Sequence, residues 1–418
     1  MSGEAPSGAP SGAAPSGAPS GFSSHSSHSS HSGSSSSAVA IEDGATPASV
    51  AAGETVENTV DGEHAIQVAN TQASYADITV VKTGDASGDE ADFYGANSAI
   101  YAANNATVDL SNITVNTNGT HANAVFSYGS GTTVNVSDST IETSGNCSGG
   151  IMTTGGGTMN ATNLTVHTTG NSSAPIRSDR GGGTVTVSGG SYTSNGKGSP
   201  AIYSTADITV NDATLTSTSS QGIVVEGRNS VTLNNVNLTA DNNSKNSDKS
   251  SFFQAVMIYQ SMSGDAAEGE AHFAMTGGSL TNKNGDIFFV NNTSTTIALN
   301  GATIVNEDAS GVFLRAAAAG WGRSGSNGGH VKMTAIAQTI DGDMVVDDIS
   351  SLTLSLTENS QLTGAINTDN ASQDVSVTID ASSTWTLTGD SYVTSLECAG
   401  TIDLAGHSLY VNGELYTA

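Results

Sequence analysis

The chain has 418 residues, 11 Lys+Arg against 39 Asp+Glu, and a formal net charge of −28. That sign repels phosphate backbones and excludes nucleic acid as a partner. No apolar run approaches the roughly 18–20 residues that span a bilayer, so membrane insertion of the fold is not expected. The two cysteines, Cys147 and Cys398, are too few for a disulfide framework.

Residues 1–37 differ from the rest. Ala-Pro-Ser-Gly ends at Gly8, Gly12, Gly17 and Gly21, and Ser-Ser-His then places His25, His28 and His31 at a fixed spacing. Such a segment buries too little apolar surface to offset its ordering entropy, so a disordered Ser/Gly/Pro/His linker is expected. The first residues show no signal peptide. A spacer of this type ahead of a polar domain nevertheless suits an extracellular or cell-surface protein whose true start lies upstream.

From residue 99 a repeat dominates. A small or polar residue followed by an aliphatic one recurs with anchors at Ile100, Val125, Ile151, Ile176, Ile202, Ile223, Val256, Ile287 and Val312. The steps are 25, 26, 25, 26, 21, 33, 31 and 25 residues. The long steps contain polar insertions near Asp241–Ser251 and Ser261–Glu270. Each repeat holds three short alternating runs, such as Ile202–Ser204, Asp207–Val210 and Ala213–Thr216, separated by Gly, Asn or Asp. Period-two alternation with β-branched residues predicts strands. Three strands per turn predict an all-β, single-stranded right-handed parallel β-helix, a solenoid of about 25 residues per coil. Residues 38–98 then form an N-terminal cap and first coil, 99–338 the β-helix, and 339–418 a C-terminal β-solenoid and cap.

Alternation also assigns the faces. The predicted inward rows are Val108 and Leu110, Val134 and Val136, Val185 and Val187, Ile208 and Val210, and Val231 and Leu233 on the second strand. On the third they are Ile113, Ile141, Leu164, Tyr192, Leu215 and Val236. Outward on the first strand come Tyr101, Phe126, Met152, Arg177, Tyr203, Val224, Met257, Phe288 and Phe313. Two residues further along lie Ala103, Tyr128, Thr154, Asp179, Thr205, Glu226, Tyr259, Val290 and Arg315. The second-strand outer column, Asp109, Asn135, Asn160, Thr186, Thr209 and Thr232, is small and polar.

Aromatic rings on a flat face suit the apolar faces of sugars, and neighbouring carboxylates and guanidinium groups suit their hydroxyls. The candidate binding residues are therefore Tyr101, Phe126, Tyr128, Arg177, Asp179, Arg180, Tyr203, Glu226, Arg228, Tyr259, Arg315, Trp321 and Arg323. Gly320–Ser324 and Gly328–His330 form a glycine-rich candidate lid. The arginines gather on or beside one face, which points to acidic sugars. Asp85, Asp89, Glu90 and Asp92 form a carboxylate cluster with glycine nearby, a candidate Ca²⁺ site without EF-hand spacing. No other cofactor is expected.

Catalysis is not supported by a motif. A lyase needs a basic residue beside Ca²⁺-binding carboxylates, and a hydrolase needs two carboxylates about 5–9.5 Å apart. Arg177, Asp179, Glu226 and Arg228 supply residue types without the dense set of Asp on neighbouring coils, so no catalytic residue is assigned.

Phe93-Tyr94-Gly95, Gly149–Gly157, Ala174–Gly183, Ser199–Ile208 and Ala255–Asp265 resemble segments of right-handed parallel β-helix surface proteins of anaerobic Gram-positive bacteria. The resemblance covers about residues 60–418. It implies an adhesin-like or carbohydrate-binding role on a pectate-lyase-like architecture and carries no catalytic residues with it. The expected function is non-catalytic recognition of a polysaccharide or cell glycan along one solenoid face. A polysaccharide lyase or glycoside hydrolase acting on pectin-like acidic polysaccharide is the alternative.

Overall fold

A computed structural model describes residues 41–245 and 247–417. The linker expected at 1–37, with its three histidines, lies outside the described residues. The chain winds as a right-handed parallel β-helix. First strands stack in parallel from Ile66–Ala69 through Ile100–Ala103, Val125–Tyr128 and Ile151–Thr154 to Leu314–Ala316 and Met344–Val346. Second and third strands belong to one bent sheet, and Gly157–Thr168 and Gly183–Ser194 each run through both positions without a break.

The bend is built from residues that tolerate a left-handed backbone. Asn112, Asp138, Asn163, Asp212 and Asn235 all have φ between 48° and 54°. Asn and Asp visit this region more readily than other non-glycine residues because their short polar side chains bond locally. Here they also bond up the stack: Asn112 Nδ2 donates to Asp77 at 2.6 Å, Asn163 to Asp138 at 2.8 Å and Asn235 to Asp212 at 2.7 Å. A second ladder closes each coil before the next first strand. There Gly119, Gly145, Gly170 and Gly196 stack so closely that a Cβ would collide with the carbonyl of the coil before. Those carbonyls accept from Ser148, Ser173 and Ser199 Oγ at 2.8–3.0 Å.

The interior is one continuous apolar column from Ala65 to Leu409. Every predicted inward residue is buried, but the third-strand set divides into two rows. Ile141, Tyr192 and Leu215 lie on strands aligned with Val115, Val166 and Leu238, whereas Ile113, Leu164 and Val236 sit at the bend beside them. One register expectation is corrected. Val256 pairs with Phe288, and Phe288 with Leu314, so Phe288 is an inward anchor and Phe289 and Arg315 occupy the outward column. Phe273, Phe288 and Phe313 pack inside with centroids 5.5 and 5.6 Å apart, and Val290 is buried with them.

Gly44–Thr46 pairs antiparallel with the first coil, and parallel stacking starts at Thr55–Asn58 against Thr79–Lys82. After residue 339 the solenoid continues with shorter strands, including a separate stack at 339–341, 361–363, 384–386 and 401–403. It ends in an antiparallel pair, Leu409–Val411 with Glu414–Leu415. The antiparallel Gly44–Thr46 covers the first-face edge at Ile66–Ala69, an edge of the kind that invites further chains.

Candidate functional site

The outward column of the first face runs Tyr101, Phe126, Met152, Arg177, Tyr203, Val224, Met257, Phe289, Arg315. Its aromatic members are not open to solvent. Tyr101 and Phe126 are both 0% exposed. This corrects the expectation of a flat aromatic face, and the cause is two covers made from insertions between coils.

The first cover is the stretch before Ile100, with a short helix, α1 (Asp89–Tyr94), ending at Gly95 in the left-handed region, φ 82°. Tyr101 and Phe126 press so closely beneath Gly95 that a side chain there would strike both rings. Thr154 Oγ1 donates to the Phe93 carbonyl at 2.6 Å, and Tyr94 meets the half-buried Tyr128 edge-on at 5.8 Å. The second cover joins 241–253, 261–268 and 317–327. Trp321 packs edge-on against Tyr259 at 5.1 Å, and Phe252 lies 5.6 Å from Phe289. Asn327 Nδ2 bonds the carbonyls of Ala319 and Trp321 at 2.7 and 2.8 Å, so the candidate lid is a pinned wall.

Between the covers a cleft of about 390 Å³ opens over Arg177 and Tyr203. Asp92, Phe93, His121 and Cys147 form one wall. Arg177, Asp179, Tyr203 and Glu226 form the floor, and Lys245, Lys249, Phe252, Phe253, Tyr259, Asp265 and Trp321 the other wall. Arg180 fastens the two walls together. Its guanidinium lies 3.7 Å from the Phe93 ring centre and pairs with Asp265 at 2.8 Å and Asp89 at 3.2 Å.

The floor is a buried polar network. Arg177 donates to Asp179 at 2.9 Å, and Asp179 also accepts from the Arg180 backbone N–H at 3.0 Å. Burial pushes the Asp179 carboxyl up to about 6 against the pull of Arg177, and Asp265 and Glu226 add to the rise. Glu226 accepts from Tyr203, from Ser261, and from Tyr259 at 3.1 Å. Burial raises Glu226, while the bonds from Ser261, Tyr203 and Tyr259 hold it back. On the first wall His121 Nε2 lies 2.7 Å from Asp92. Burial opposes its charge, but hydrogen bonding to Asp92 and Cys147 prevails and holds His121 up to about 10.

Of the residues expected from sequence, Arg177, Asp179, Tyr203, Glu226, Tyr259 and Trp321 converge on the cleft, with Arg180 as its clasp. Tyr101, Phe126 and Tyr128 support the first cover instead. Arg315 is engaged by Asp286 at 2.6 Å and by the Phe252 ring at 4.2 Å. Arg228 is exposed away from the cleft, and Arg323 borders a separate shallow hollow with Glu270, His330 and Lys332. Arg177, Arg180 and Arg315 are thus each paired with an acidic partner.

The expected carboxylate cluster does not converge. Asp85 accepts from the Thr120 N–H at 2.7 Å, Asp89 pairs with Arg180, Glu90 is exposed, and Asp92 turns to His121. Sequence reasoning missed His121, Cys147, Phe93, Phe253 and Asp265. His121 and Cys147 each lie four residues before a first-strand anchor, so aligning turn positions on the anchors would have stacked them.

No protein-family model matches the chain, and no curated protein does. Among solved structures, the chain is similar to one in "The cryo-EM structure of the Vag8-C1 inhibitor complex". That likeness has a TM-score of 0.40 at 15% identity and covers 86% of this chain and 100% of that one. The fold therefore rests on the chain's own strand pairing, that of a right-handed parallel β-helix.

Proposed function

We propose that the protein binds carbohydrate without turnover, as an extracellular or cell-surface recognition module, and that the cleft takes a short or terminal portion of a glycan. The observation that supports this reading is the pairing of aromatic walls with polar groups in one confined space: Phe93, Phe252, Phe253 and Trp321 around Lys245 and Lys249. Aromatic rings take the apolar faces of a sugar, and the polar groups take its hydroxyls. At about 390 Å³ the cleft is near the small end of ligand pockets and suits about one or two sugar rings. Five carboxylates face three cations and His121 in its lining, a near balance that favours a neutral ligand. The lyase or hydrolase alternative has less support, because Asp179 and Glu226 are both occupied in structural hydrogen bonds.

A glycan array probed with the full chain and with Phe253→Ala tests the reading. Phe253 is half-buried at the mouth, and Lys245 Nζ lies 5.4 Å from its ring centre. Binding to a neutral short glycan that drops about tenfold or more in the variant is expected, from about 1.5 kcal/mol of lost ring contact. Binding unchanged by Phe253→Ala, or restricted to long acidic polymers, would overturn it.

A further inference from the structure

We propose that Asp92, His121 and Cys147 form a three-ligand site for a thiophilic divalent cation of the Zn²⁺ type, with a fourth position facing the cleft. One donor atom from each residue lies within 4.8 Å of the others. Among the described residues this is the one such His/Cys/Asp/Glu group. His121 and Cys147 are 7% and 8% exposed, and all three residues line the cleft. The ring orientation is that of a metal ligand. His121 Nδ1 lies 2.9 Å from the Ala86 carbonyl, leaving Nε2 aimed at Asp92. A backbone carbonyl on the remote nitrogen is the usual way a ligating imidazole is held in one tautomer.

The backbone brings the ligands together by stacking. His121 N–H donates to Asn146 O at 2.9 Å and Cys147 N–H to Asn171 O at 2.8 Å, so the two sit at the same turn position on adjacent coils. Both are left-handed, with φ 57° and 56°; Gly198 holds the same position two coils after Cys147 with φ 64°. A Cβ-bearing residue of this kind costs about 1–3 kcal/mol in such a conformation. Asp92 comes from α1, on the same wall of the cleft.

The donor set selects the ion. A thiolate, an imidazole and a carboxylate favour Zn²⁺ and exclude Ca²⁺ or Mg²⁺, which take oxygen ligands. Three protein ligands with one open position is the arrangement of an accessible rather than a closed structural site. Tetrahedral bonding separates the ligand atoms by roughly 3.2–3.7 Å, so the 2.7 Å His121–Asp92 contact opens by about half an ångström as the ion enters. The thiol proton and the proton held between His121 and Asp92 leave to solvent. Two negative ligands then balance the dication, while Arg177 remains neutralised by Asp179. The inference does not depend on the glycan reading.

The test uses Co²⁺ as a spectroscopic substitute for Zn²⁺, titrated into the full chain carrying His25→Ala, His28→Ala and His31→Ala to silence the tail. One equivalent should bind with a thiolate-to-cobalt charge-transfer absorption, and Zn²⁺ should displace it. Cys147→Ser should abolish the absorption and Cys398→Ser should leave it. Asp92→Asn, on the half-exposed helix, should fold normally and weaken binding at least about tenfold. Phe253→Ala should bind cobalt as the parent does. Absence of the absorption, or its loss in Cys398→Ser with survival in Cys147→Ser, would overturn the site.

Discussion

The first and second faces of this solenoid share one backbone plan and differ in what they carry outward. On the second face Asp109, Asn135 and Asn160 stack as neighbours and bond one another, Asn135 to Asp109 at 2.7 Å and Asn160 to Asn135 at 2.9 Å. Over these three coils each side chain bonds the next, and among the described residues no insertion covers them. On the first face large rings, a buried ion pair and four inserted segments produce covers and a cleft. The repeat gives a regular face, and the cleft arises where the repeat is interrupted.

That contrast is sharpened by substitutions on the two faces, taken from the largest effect down. Arg177→Ala strands the buried Asp179 and should cost about 3–5 kcal/mol, read from the urea unfolding midpoint. Adding Asp179→Ala should recover part of it. Phe126→Ala should cost a similar 3–5 kcal/mol because the ring is fully enclosed beneath the first cover. If Phe126→Ala costs no more than a surface change, that cover is not packed as described.

Arg180→Gln should change global stability by no more than about 1 kcal/mol, since the clasp is half-exposed. It should instead speed proteolytic cleavage within 85–94 and 261–268, the segments it joins. Asn160→Ala on the second face should fall within about 0.5 kcal/mol of the parent. A second-face loss as large as that of Arg177→Ala would dissolve the distinction.

Acidity separates the faces as well. Asp179 holds its proton up to about 6 in the folded state, against roughly 3.9 in an unfolded chain. Between those values the folded state binds more protons, so this residue adds stability as pH falls and withdraws it as pH rises through about 6. The pH profile of Asp179→Asn should lack that contribution when subtracted from the parent, whereas Asn135→Ala should leave the profile unchanged.

The solenoid was legible in the sequence because alternation and a near-constant step are direct consequences of stacking. The anchors from Ile100 to Val256 and the inward rows of the second strand are in place. The step was lost at Phe288, where a fully buried strand, Asp286–Asn291, erases the alternation that sets register. The site was legible in part. Alternation tells which side of the sheet Tyr101 points to and says nothing of what lies over it, because α1 and the later insertions come from other coils. His121 and Cys147 escaped for a different reason: they occupy turns, where no period-two signal exists.

The most direct test of the cleft as the binding site is hydrogen exchange across the full chain with and without the short glycan selected on the array. The account predicts slowed exchange in the segments bordering the cleft, 88–94, 245–253 and 261–266, with the second-face strands at 107–111 and 133–137 unchanged. Protection spread along the second face, or none in the bordering segments, would contradict it.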